Sequence, residues 1–167
     1  GISLAFGAVV AAMILAFGRI SGAHINPAVT LGLALARRLE RRVIAPYIAA
    51  QLLGALAASA VVRGLYVESV FLGATLPVAG WWPSFALETG QTCVLMFVIL
   101  RASSHPRARL PVVAASVGAV VGLAAFTCGP LTGASMNPAR SFGPALVSGY
   151  LAPLPLYFAA PVLGAPT

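Results

Sequence analysis

The sequence predicts an all-α membrane protein: an inverted-repeat helix bundle carrying two re-entrant half-helices. Three observations lead there. The apolar residues fall in runs of membrane-crossing length. The chain repeats itself at an offset of about 111 residues. The short motif Asn-Pro-Ala occurs once in each copy, in the same register.

Composition sets the class. Of the 167 residues, 60% are apolar and 8% are charged, where a soluble globular domain carries about 25% charged residues. The apolar runs cover 2–17, 43–62, 85–100, 110–128 and 151–163. The first four approach the roughly 17–25 residues that cross a hydrocarbon core, and the fifth runs out near the last residue. Helices satisfy their own backbone in lipid, so the spans are expected to be helical. The length suggests one bundle and not several domains.

The net charge of +7 reads as topology. All ten cations are Arg, and seven lie in two short connections: Arg37, Arg38, Arg41 and Arg42, then Arg101, Arg107 and Arg109. Basic clusters beside apolar spans mark the cytoplasmic side. The segment 67–82 has no cation and carries Glu68, so it is expected outside, as an extracellular or periplasmic loop. Basic residues are not interleaved with aromatics, so a nucleic-acid partner is not expected. The lack of Lys beside abundant Ala and Arg hints at a GC-rich bacterial genome. Cys93 and Cys128 sit inside apolar runs and read as small buried hydrophobes. No metal-ligand spacing, nucleophile–base pair or acid pair is present, so neither an enzyme nor a cofactor is expected.

The duplication organises the chain. Gly7-Ala8-Val9-Val10 falls on Gly118-Ala119-Val120-Val121 at a shift of 111. In the same register Ser21 to Ala28 falls on Thr132 to Ala139. At a shift of 110, Tyr47 to Ala55 meets Tyr157 to Ala165 with six of nine pairs identical. The expected division is a first repeat over 1–66, a connecting loop over 67–82 and a second repeat over 83–167. The second repeat has an additional long helix in front, near 83–102. Its counterpart would precede Gly1, so a segment holding one membrane helix, roughly 30–40 residues, is expected upstream. Three long helices per repeat make the halves enter the membrane from opposite sides, as in transport proteins with inverted repeats.

Each Asn-Pro-Ala reads as a helix start. Asn is a favoured N-cap, and Pro suits the first helical position, where no amide donor is needed. The apolar stretches that follow, 28–36 and 139–147, are too short to span. They read as half-helices starting at mid-membrane, where irregular backbone survives only beside a water-filled cavity or buried in protein. Gly18, Gly22, Gly129 and Gly133 suit bent segments leading into the motifs. Inverted symmetry brings Asn26-Pro27-Ala28 and Asn137-Pro138-Ala139 together, N-terminus to N-terminus. Two positive dipole ends then converge, with the Asn side-chain oxygens used in capping and the NH₂ groups left as donors. Such a site accepts the oxygen of a passing neutral molecule, interrupts a proton wire and repels cations.

His24-Ile25-Asn26-Pro27-Ala28-Val29-Thr30 and Met136-Asn137-Pro138-Ala139-Arg140-Ser141 resemble the signature motifs of the major intrinsic protein family, the aquaporins and aquaglyceroporins. The resemblance covers the chain from the family's second helix to the middle of its sixth. It implies an aquaporin-like right-handed helix bundle with the first helix absent from this chain. It also implies a homotetramer in the cell membrane (plasma or inner) with one pore per subunit. The implied function is a passive channel for water, with glycerol and other small neutral solutes as further candidates, that excludes protons and ions. By resemblance, Phe6, Ala125, the carbonyl of Ala134 and Arg140 form an outer selectivity filter. An Arg inside a span is costly, roughly 2.5–3.5 kcal/mol, which by itself marks Arg140 as functional.

Within the resemblance, Ala125 stands where strict water channels carry His, and alanine leaves a wider constriction that suits glycerol, urea or metalloid hydroxides. Ser141, Ala145 and the pair Tyr157-Phe158 point back toward the water-channel branch. Glu88 is implied to accept amide bonds from the second loop, Gln51 to do similar work on the other side, and His24 to be a structural hydrogen-bonder. Gly118 and Gly122, matched by Gly7 and Ala11, form small-residue pairs that permit a close helix crossing. The alternative of another class is a secondary transporter, which also uses inverted repeats and broken helices.

Overall fold

In the computed structural model, residues 1–105 and 108–166 are described, and all regular structure among them is helical. Arg107, one of the expected cytoplasmic cluster, lies outside the described residues. The helices are α1 (Ile2–Ser21), α2 (Pro27–Leu35), α3 (Arg41–Leu65), α4 (Trp81–Ser104), α5 (Leu110–Thr127), α6 (Gly129–Thr132), α7 (Pro138–Ser148) and α8 (Leu154–Gly164). Four of them, α1, α3, α4 and α5, are long and apolar enough to cross a membrane. The half-helices α2 and α7 have 9 and 11 residues, so at about 1.5 Å per residue each reaches only half way through the hydrocarbon.

The two copies match element by element: α1 with α5, α2 with α7, α3 with α8. They differ at one place. In the first copy α1 runs unbroken through Gly18 to Ser21. In the second, α5 stops at Thr127 and a separate single turn, α6, follows. The cause is Pro130, which stands where the first copy has Arg19. Pro cannot donate the bond that would continue α5, yet it fits the first turn of a new helix. Gly18 and Gly129 therefore lie inside helical turns, contrary to the expectation that they form bends. A Cβ on Gly18 would come within 2.8 Å of Leu110 Cδ1, so a side chain there requires Leu110 to shift. Gly22 (φ 81°) and Gly133 (φ 80°) do occupy the left-handed bends.

The most extensive helix contact is the α1–α5 crossing. A Cβ on Gly7 would sit 2.6 Å from the Gly118 carbonyl oxygen, and one on Gly118 would sit 2.9 Å from Ala11 Cβ. Backbones meet there directly. Lipid tails are as apolar as Leu, so helices in a membrane gain little from mere burial and much from such close approach. Beside this seam, Ile14, Ala28, Val29, Leu95, Met96, Val117 and Met136 form the buried core. Large apolar side chains such as Leu4, Val9, Phe97, Leu123 and Phe126 point outward, which suits a bundle solvated by lipid. At one end, Arg38 donates to Ser103 and Ser104 at the close of α4, so both described Arg-bearing connections share that end.

Candidate functional site

Each half-helix begins as its motif dictates. Asn26 has extended backbone (φ −156°, ψ 117°), and its Oδ1 accepts the Ala28 N–H at 2.9 Å. Asn137 (φ −148°, ψ 107°) accepts from Ala139 at 3.0 Å and Arg140 at 3.3 Å. Pro27 and Pro138 occupy the first turns. The amide groups then cross to the opposite loop. Asn26 Nδ2 donates to the Met136 carbonyl at 2.8 Å, and Asn137 Nδ2 donates to the Ile25 carbonyl at 2.8 Å. The half-helix tips are thus tied together by a reciprocal pair of bonds. Capping by itself leaves both NH₂ groups free as donors. The geometry spends one hydrogen of each on the other loop and leaves one.

The loops that present these tips are twins in backbone conformation. After the glycines come Ala23 (φ 46°) and Ala134 (φ 43°), then Ile25 (φ 44°) and Met136 (φ 50°). Left-handed conformation in a non-glycine residue costs about 1–3 kcal/mol and persists only where surroundings impose it. In each loop a tyrosine hydroxyl donates to the carbonyl at the start of the bend, and further side chains join it. In the second loop, Glu88 on α4, 0% exposed, accepts three bonds: Ser135 N–H at 2.9 Å, Met136 N–H at 2.7 Å and the Thr132 hydroxyl at 2.8 Å. The Tyr157 hydroxyl closes the same loop by donating to the Thr132 carbonyl at 2.5 Å.

In the first loop, the Tyr47 hydroxyl accepts the His24 N–H at 3.2 Å and donates to the Ser21 carbonyl at 2.9 Å. The His24 ring stacks on Tyr47 at 4.7 Å and contacts the Thr30 hydroxyl at 3.2 Å through Nδ1. Gln51 reaches that hydroxyl as well, at 3.0 Å through Nε2, so it touches the half-helix and not the loop backbone. Tyr47, Thr30 and Thr132 escaped sequence reasoning, although Tyr47 and Tyr157 are paired by the repeat.

A cavity of about 520 Å³ runs past the tips. Phe6, Val10, Ile14 and Gly18 line it from one face of α1, each four residues from the last, a track of about 18 Å at helical rise. Asn26 and Asn137 line it between the loops, and Phe6, Ala134 and Arg140 line it beyond them. Arg140 stands on the first turn of α7, its guanidinium 5.4 Å over the Phe6 ring. Its Nη1 donates to the Gly73 carbonyl at 2.7 Å, while Nε is buried without a partner. Ala125 lies half-buried on α5 and is not among the residues lining the cavity. Of the four filter positions, the structure brings three together and leaves Ala125 aside. Among the described residues no cluster of metal-ligating groups occurs.

This geometry matches a known pattern. The sequence pattern of the family described as major intrinsic protein matches residues 1–167. The chain belongs to the major intrinsic protein family. Among curated proteins, Aquaporin NIP1-1 of Zea mays is 42% identical over 167 residues, covering 99% of this chain and 59% of the maize protein. Aquaporin NIP3-1 of Arabidopsis thaliana is 41% identical, covering 99% of the chain and 54% of that protein. The chain thus spans a little over half the length of these relatives. Among solved structures, the aquaglyceroporin from Plasmodium falciparum superimposes with a TM-score of 0.88 at 27% identity, over 98% of this chain and 77% of that one. An all-helical aquaporin fold with its membrane-crossing helices is therefore common to this chain and its relatives.

Proposed function

We propose that this chain forms the pore of a passive membrane channel for water and small uncharged solutes that turns away protons and ions. The observation that carries the reading is the reciprocal bonding of Asn26 and Asn137 across the half-helix tips. Each tip brings roughly half a positive charge of helix dipole to the same point, and each Asn keeps one N–H to offer. A water passing there gives its oxygen to both, so it cannot relay a proton along the pore axis. The combined positive field opposes hydronium and cations. Farther along, Arg140 supplies donors and positive charge while Phe6 supplies an apolar wall.

The same reading makes Asn26, Pro27, Ala28, Asn137, Pro138 and Ala139 the pore motifs, with Glu88 and His24 as supports for the loops and Gln51 as a support for the first half-helix through Thr30. It places four chains in a homotetramer in the cell membrane, each with its own pore and with the Arg-bearing end in the cytoplasm. A broader solute range has one observation in its favour. With alanine at position 125, α5 contributes no donor and no bulk beside Phe6 and Arg140. Likeness to plant aquaporins and to an aquaglyceroporin is consistent with either range.

Osmotic shrinkage of proteoliposomes holding the full-length protein, followed by light scattering, tests both. Water flux well above that of empty vesicles, with little glycerol or urea flux, is the expected result. Comparable glycerol flux would establish the broader range. Slow, saturable flux would overturn the channel reading and indicate a carrier.

A further inference from the structure

The segment between α3 and α4 is more than a connection. Its middle touches the second half-helix at several points. The Gly73 carbonyl accepts the Arg140 Nη1–H at 2.7 Å. Two residues on, Thr75 is 2% exposed and donates through Oγ1 to the Ser141 hydroxyl at 2.7 Å. Ser141 in turn shares a hydrogen bond of 2.6 Å with the Ser135 hydroxyl, which donates to the Asn137 carbonyl at 2.9 Å. Ala79 N–H donates to the Leu131 carbonyl at 2.9 Å. Gly133 also has a reason in this contact: a Cβ there would lie 2.9–3.1 Å from Thr75 atoms, including its Cα.

We propose that Thr75 is a positioning residue for solute selectivity: its bond to Ser141 anchors the 67–80 strap, so that the Gly73 carbonyl fixes the Arg140 guanidinium at the outer constriction. The inference rests on the channel reading above. An Arg side chain has four rotatable bonds, and here its Nε has no partner. Its position therefore depends on the Phe6 ring and the Gly73 carbonyl. The ring attracts without strong direction, whereas a charge-assisted bond to a carbonyl is directional. The carbonyl can impose a position only if its own backbone is held. The peptide that carries it is bonded within the strap, Ala74 N–H to the Phe71 carbonyl at 2.8 Å, and Thr75, buried and bonded to Ser141, is the nearest side chain that ties this turn to the second half-helix. Thr75 does not itself line the cavity, so it acts through Arg140 and not on the solute.

The test is Thr75→Val, which keeps shape and removes the hydroxyl, in the full-length protein reconstituted in vesicles. Thr75→Ser restores the hydroxyl, and Ser141→Ala removes its partner. The expected result is a glycerol-to-water permeability ratio raised about fivefold in Thr75→Val, the effect of losing one hydrogen bond's worth of constraint. Thr75→Ser should return the wild-type ratio. Ser141→Ala should raise the ratio similarly, and the double variant should show no more than either alone. If Thr75→Val fails to assemble, Ser141→Ala carries the same comparison. A wild-type ratio in a well-folded variant that lacks the bond overturns the proposal. Absence of water conduction by the wild type would instead overturn the channel reading beneath it.

Discussion

At the residue scale, Glu88 shows how a membrane interior keeps a polar group. Its carboxylate accepts from two backbone amides and one hydroxyl, and those bonds hold Ser135 and Met136 where the left-handed backbone turns toward Asn137. Replacing it by Gln presents an NH₂ to donors that need an acceptor. Glu88→Gln is expected to cost about 1–3 kcal/mol, seen as a lower melting temperature in detergent. An unchanged melting temperature would mean that the loop holds its shape without the acid.

Residue-scale features were unevenly legible in the sequence. Asn26, Asn137 and Arg140 could be found because their chemistry is tied to fixed neighbours in a short motif. Glu88 stood out as an acid in an apolar run. Gly73 and Thr75 gave no signal, because a strap makes its contacts through backbone carbonyls and a small hydroxyl, with no periodicity to read. The crossing bonds of the Asn amides were also hidden. Capping follows from local spacing, but the partner carbonyls of Ile25 and Met136 belong to opposite halves of the fold.

At the element scale, helix boundaries followed composition closely. The half-helices were expected over 28–36 and 139–147 and occur at Pro27–Leu35 and Pro138–Ser148, since an N-cap Asn with Pro next to it fixes the start. The separate turn α6 was not foreseen: a glycine count suggests a bend, whereas Pro130 decides between continuation and restart. The α1–α5 seam yields a sharper test. A side chain at Gly118 would collide with the Gly7 backbone and Ala11, and neither helix can move without carrying pore-lining residues along. Gly118→Val is expected to cost about 1–3 kcal/mol or more through overpacking, reducing the folded, monodisperse fraction in size-exclusion chromatography. Gly54→Ala on α3, with no atom within 4 Å of the new Cβ, is the control and should behave as wild type. Equal behaviour of the two variants would contradict the tight seam.

At the scale of the whole molecule, two copies of one supersecondary unit face each other across a pseudo-twofold axis, and the site exists only where they meet. Neither copy alone places two helix N-termini and two Asn side chains at one depth. The repeat could be recognised from three aligned blocks, Tyr47 to Ala55 on Tyr157 to Ala165 among them, because duplicated chain retains identities, and its inversion followed from an odd number of long helices in each copy. The Tyr47 and Tyr157 hydroxyls, which donate to the Ser21 and Thr132 carbonyls in turn, repeat that symmetry at the loops; Glu88 as an acceptor for the second loop was legible through the family resemblance, and the Tyr and Thr contacts were not.

The central claim is that the paired half-helix tips pass dipolar molecules and stop charge. Simultaneous measurement of osmotic shrinkage and internal pH, in vesicles holding the full-length protein and an imposed proton gradient, addresses it most directly. The account predicts rapid water exit while the internal pH decays no faster than in protein-free vesicles. A pH decay that accelerates in step with water flux would contradict it.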